Sequence, residues 1–162
     1  FLAAPMIYGA ILRLAACNAT DVQIAELKEA QAHFKSTLRS GDIAARALAN
    51  NRFHEITGEM AGNVYLIPSF RRLLIDHARI GMTFYQPQNS AMAANLVTAS
   101  DQHDAIIDAI EARDPEAAAA LAAVAAWAAV IITEDFFIDS RLLRRLGECF
   151  SAGMSKKRKK YC

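Results

Sequence analysis

Apolar and polar positions fall along this chain in blocks with a helical period. Met6 to Cys17 is apolar at helical spacing, broken only by Arg13, and Asn18-Ala19-Thr20-Asp21 ends it. Thr20 and Gln23 have the form of a capping box, a hydroxyl reaching forward and an amide reaching back. The helix that follows carries the stripe Ile24, Leu27, Phe34 and Leu38, with Glu and Lys elsewhere, and Gly41 stops it. Asp42 caps a third helix to about Met60, which Gly62-Asn63 ends. A fourth has Phe70, Leu73, Leu74, His77 and Phe84 along one side, with Pro68 in its first turn.

The stretch Gln86 to Ala99 is rich in Pro, Gln, Asn, Ser and Ala, and reads as a loop with at most one extra turn. Ser100 or Asp101 then caps a fifth helix to about Arg113. Asp114-Pro115-Glu116 opens a sixth: a cap, a proline at the first helical position, an acid in the first turn. It runs through an alanine block to about Thr133, and Asp139-Ser140 opens a last helix to about Ser151. No run alternates with period two, and no hairpin turn is evident. Short links between long amphipathic helices predict an all-α fold, an antiparallel bundle of six or seven helices. The bundle is expected over residues 1–153, with a basic disordered tail over 154–162.

Composition sharpens this picture. The 162 residues include 33 alanines, and alanine favours helix over strand. A net charge of +1 gives no electrostatic case for nucleic acid or a membrane surface. The local exception, Lys156 to Lys160, reads as a solvated tail. Cys17, Cys149 and Cys162 are odd in number and fit no metal spacing, as expected of a reduced, cytoplasmic protein. Phe1 to Pro5 lacks the basic start of a signal peptide. The apolar run Ala117 to Ile132 is short of the roughly 20 residues that span a bilayer.

Polar residues on apolar faces carry the candidate chemistry. At 100° per residue, Ile43, Ala47, Asn50, His54, Thr57 and Ala61 share one arc of the third helix. Ala49, Phe53, Ile56 and Met60 adjoin it. That helix therefore aims an amide and an imidazole, one turn apart, at the core. On the fifth helix His103 shares a face with Ile106, Ile107 and Ile110. Neutral imidazole is the commonest metal ligand, and bundle cores are where such sites are built. His77 lies on an apolar stripe without a polar partner one turn away and reads as structural. His33, among Gln31, Lys35 and Ser36, reads as exposed, and Asp104, Asp108 and Glu111 form a solvated face. Phosphate loops, nucleophile elbows and zinc-protease motifs are all absent, so an enzyme is not expected.

Two stretches taken together carry a resemblance. Asn50-Asn51-Arg52-Phe53-His54 with Ala61-Gly62-Asn63 is similar to an "Asp-x-x-Phe-His … Gly-Asn" signature. Asp101 to Ile110, then Arg113-Asp114-Pro115-Glu116-Ala117-Ala118, resembles "Glu-His-x-x-Ile-x-x-Ala-Ile … Gly-Asp-x-x-x-Ala". Arg13 to Ala16 resembles the "Arg-Leu-Ala-Ala" region before both. The chain thus resembles the FCD ligand-binding domain of GntR-type bacterial transcriptional regulators, the FadR-like branch, from about Met6 to Val130.

The resemblance implies a homodimer that senses a small organic acid in the bundle core. DNA would be read by a winged helix-turn-helix upstream, which these 162 residues do not include. Many such domains hold zinc, nickel or another divalent metal with one Asp and three His. Carried over, His54 and His103 match two of the histidines. Asn50 stands at the Asp position and Ala125 at the third His position, so a tight site is not expected. Asn50, His54 and His103 are then the expected effector contacts, with any metal weakly held on them. Trp127 lies near the lost histidine. No charged residue lies in Phe1 to Met6, where many members carry an arginine. The alternative is a helical dimerisation scaffold with a degenerate pocket; a metal-dependent enzyme is a distant third.

Overall fold

The computed structural model describes residues 3–84 and 90–122. Five helices follow one another: α1 Ala4–Asn18, α2 Asp21–Ser40, α3 Ile43–Ala61, α4 Ile67–Phe84 and α5 Ser90–Glu111. Residues 115–122 are also helical and are called α6. Among the described residues there is no strand.

The ends of the helices are set by the residues that mark them in the sequence. Thr20 Oγ1 accepts the Gln23 amide N–H at 3.3 Å, and Gln23 Oε1 accepts the Thr20 N–H at 3.0 Å, closing the capping box. Asp42 accepts the Ala45 N–H at 2.9 Å. Gly41 and Gly62 end α2 and α3 at φ 75° and 62°, the left-handed region where a Cβ is penalised. Asp114 accepts the N–H groups of Glu116 and Ala117 and so caps α6. One terminus departs from this pattern. Arg113, not a glycine, ends α5 at φ 55°. Its N–H bonds Ile110 O and the Asp114 N–H bonds Ala109 O, the paired bonds of a Schellman motif. Its guanidinium donates to Ala19 O, which ties this turn to the α1–α2 link.

Links of a few residues join α1 to α4 and reverse the chain each time. Cross-links fix the directions. Tyr8, early in α1, meets His77, late in α4, while Asn18 Nδ2, at the end of α1, donates to Ala61 O at the end of α3. Lys28 pairs with Glu111 at 2.6 Å and Lys35 with Asp104 at 2.7 Å, so α5 runs antiparallel to α2. The face of α5 expected to be merely solvated is in part an ion-paired seam with α2. α3 lies against α1, α2 and α4. The main core joins Leu12, Leu27, Phe53, Ile56, Ile106 and Ile110.

The segment expected to be a loop from Gln86 to Ala99 is helical from Ser90 onward. Ala91, Met92 and Ala94 are strong helix formers, and Leu96 is buried with Phe34, Ala47 and Ala49. Ser100 is therefore no cap; it sits buried in mid-helix. The end of the sixth helix, the last helix, the tail, the 1–153 boundary, Ala125, Trp127, Cys149 and Cys162 lie outside the described residues.

Candidate functional site

α3 does what its periodicity predicts: Asn50, His54 and Thr57 are all buried, together with Phe53, Ile56 and Met60. Thr57 satisfies its hydroxyl by donating back to His54 O at 2.7 Å. Asn50 and His54 do not close on themselves. Their side chains are 5% and 6% exposed, yet neither makes a hydrogen bond to another described residue. Each residue keeps a small accessible surface, so these groups are within reach of a small molecule. Two such groups one turn apart are a place where a ligand can bond.

α5 brings His103 to the same spot, 4% exposed. Its ring stacks on Phe53 at 3.8 Å and 9°, and meets His54 edge-on at 5.3 Å. A residue missed by the sequence reading orients it. Gln31, on α2 beside the exposed His33, is buried, and its Oε1 lies 2.9 Å from His103 Nδ1. Gln31 Nε2 donates to Ser100 O at 2.9 Å and to Asp104 Oδ1 at 3.0 Å, and neither oxygen can donate. That fixes the Gln31 oxygen as the acceptor, so His103 carries its proton on Nδ1 and leaves Nε2 as a bare lone pair. The signal was present in principle, because Gln31 falls on the Ile24–Leu27–Phe34 stripe.

His77, expected to be structural, stands beside His54. Its ring lies 4.9 Å from that of His54, and Tyr8 OH lies 2.8 Å from its Nδ1. Tyr8 also packs edge-on to His54 at 5.7 Å and Phe70 at 5.2 Å. A stripe of one helix cannot reveal this contact, because the polar partners come from α1 and α3. The described site is therefore Asn50 with three imidazoles, His54, His77 and His103, buttressed by Gln31 and Tyr8.

Burial keeps these rings neutral. Desolvation pushes His77 down to about 4. It pushes His103 down to about 3, with His77 adding to the shift, Asp104 opposing it and Lys35 reinforcing it. His54 falls well below the ordinary range, first from desolvation and then from His77 and His103. Burial also raises Tyr8, so it stays a phenol. The buried cation of α3, Arg46, is directed elsewhere: its Nη2 donates to Thr37 O at 3.0 Å, at the carbonyl end of α2.

Donor chemistry decides whether the site suits a divalent ion. Asn50 offers a neutral amide where a carboxylate would be the stronger donor. His103, with Nδ1 held by Gln31, could offer Nε2 alone to an ion. Among the described residues, no group of three or more His, Cys, Asp or Glu is disposed to hold a metal ion. These residues do not make the four-ligand set of a tight zinc site. What they offer is hydrogen bonding from neutral groups in a nearly dry setting.

Against known proteins, the family model described as FCD domain matches residues 6–125. No curated protein matches the chain.

Proposed function

The chain belongs to the FCD domain family, the effector-binding C-terminal domain of GntR-family regulators, and from that premise we propose that it senses a small organic acid at Asn50, His54, His77 and His103. The observation that supports this most is the pair of buried side chains, Asn50 and His54, that find no hydrogen-bonding partner among the described residues. Such polar groups in a bundle core are what a ligand site uses to fix orientation. In this reading the carboxylate of the acid accepts from the Asn50 amide, and a hydroxyl on the same acid donates to His103 Nε2, whose tautomer Gln31 holds. The domain is a homodimer in the cytoplasm, and the acid shifts the population of two settings of the dimer, which an upstream DNA-binding domain reports. No helix among the described residues is long and apolar enough to cross a membrane. The reading assigns no catalysis, and zinc or nickel is held weakly.

Thermal shift against a panel of small carboxylates, each with and without zinc or nickel, tests the reading. An acid present at 100 times its dissociation constant should stabilise the fold by about 2.7 kcal/mol. His54→Gln should abolish that response. Silence to every acid and metal would favour the dimerisation scaffold instead. Elemental analysis after dialysis should find less than one metal per chain; a full equivalent that survives chelator contradicts the weak-metal assignment.

A further inference from the structure

The outward sides of α3 and α4 enclose a groove of about 960 Å³ that the effector site does not use. Leu48 lines it from α3, and Ile75 and Met82 line it from α4. They are 72%, 51% and 47% exposed. Single exposed apolar residues are ordinary, but three along one groove are a contiguous patch of the kind that marks an interaction surface. The charges on the walls are arranged by helix. Glu55 and Glu59 belong to the α3 wall, and Arg71 belongs to the α4 wall. Glu59 is 2.9 Å from Arg52, while Arg71 is in no ion pair among the described residues. A Cβ at Gly58 would lie 2.8 Å from the Phe70 ring, so positions 58 and 70 stand level on the two helices, with Glu59 and Arg71 each one residue away.

This arrangement is self-complementary under one symmetry. A two-fold axis along the groove lays α3 of each copy over α4 of the other, at the same level. Each copy's Glu55 and Glu59 then face the partner's Arg71, while the apolar residues meet between them. A two-fold axis across the helices would lay α3 on α3 and set acidic wall against acidic wall, each acid keeping only its own chain's Arg52. We propose that this groove is the surface on which two copies of the chain pair, about a two-fold axis running along it. Such an interface is isologous, each copy giving both walls. The inference rests on the homodimer reading above and adds to it the face and the symmetry.

Light scattering behind size-exclusion chromatography, on the full chain across micromolar concentrations, tests this. The chain should run as a dimer. Leu48→Glu with Ile75→Glu should raise the dimer dissociation constant at least about 100-fold, since central apolar contacts dominate binding. Val22→Glu, at an exposed α2 position, should leave it unchanged. Glu55→Arg with Glu59→Arg should dissociate the dimer, and so should Arg71→Glu. All three charge changes together should restore it. These positions are at the surface, and unchanged helical circular dichroism checks that each variant folds. A monomeric unsubstituted chain overturns this inference and the homodimer reading together. A dimer that survives the Leu48 and Ile75 changes overturns the interface alone, and failure of the charge exchange to restore pairing overturns the axis. A dimer lost while the acid-induced thermal shift persists supports the groove and leaves the effector site standing separately.

Discussion

The two faces of α3 depart from the amphipathic rule in opposite senses. Its inward face buries Asn50, His54 and Thr57 among Phe53, Ile56 and Met60. Its outward face leaves Leu48 72% exposed, beside Glu55 and Glu59. α2, its neighbour, also buries polar residues, Gln31 and Thr37, among Ile24, Leu27 and Phe34, but both are hydrogen-bonded within the chain. A helix that serves only to fold a bundle has no use for a buried amide and imidazole without partners, or for an exposed leucine that lines a groove with Ile75 and Met82. Each departure points to something outside the chain: a small molecule on one face, a second copy on the other.

The largest expected effect comes from charging the inner face. His54, His77 and His103 titrate near 6.5 when unfolded and lower when folded. Below pH 6.5 the unfolded state therefore binds more protons, and stability falls as pH falls. The contribution is fully present above 6.5 and is lost towards the folded values of about 4 for His77 and about 3 for His103. Each ring costs on the order of 1 kcal/mol per pH unit across its window. Urea midpoints measured from pH 7 to 5 should drop steeply. His77→Gln should flatten the slope. A midpoint indifferent to pH over this range would mean that the rings are not buried neutral.

The seam between the two faces gives the next effect. Gly58→Ala gains about 1 kcal/mol of helix propensity, but its Cβ would come within 2.8–2.9 Å of the Phe70 ring. Overpacking of this kind costs about 1–3 kcal/mol, so chemical denaturation should show a net loss. Adding Phe70→Leu should recover part of it; no recovery would place the strain elsewhere. On the outer face, Leu48→Ser should change the stability of the monomer by less than about 0.5 kcal/mol, a small effect that sets the two faces apart. A loss as large as that of a core residue would mean that Leu48 packs within the monomer.

Much of the bundle was legible because local chemistry decides it. Thr20, Gly41, Asp42, Gly62 and Asp114 mark helix ends by hydrogen bonds and backbone angles that reach only a few residues. Asn50, His54 and His103 were legible as buried because one helix's period shows which side faces in. Residues 90–99 were misread because the Asn and Ser around them suggested a loop, whereas burial of Leu96 against Phe34 holds the segment helical. Gln31 and His77 were missed for a related reason. Their roles depend on Ser100, Asp104, Tyr8 and His54, all on other helices. The periodicity of one helix does not carry information about contacts between helices.

The central claim is that one acid meets all three buried imidazoles at once. Side-chain nitrogen NMR of the histidines, recorded as the stabilising acid from the thermal panel is added, tests it most directly. The His54, His77 and His103 signals should move together on one binding curve, with His103 keeping its proton on Nδ1 and exposed His33 staying still. Thermal stabilisation with those three signals unmoved, or with only His33 moving, would contradict the account.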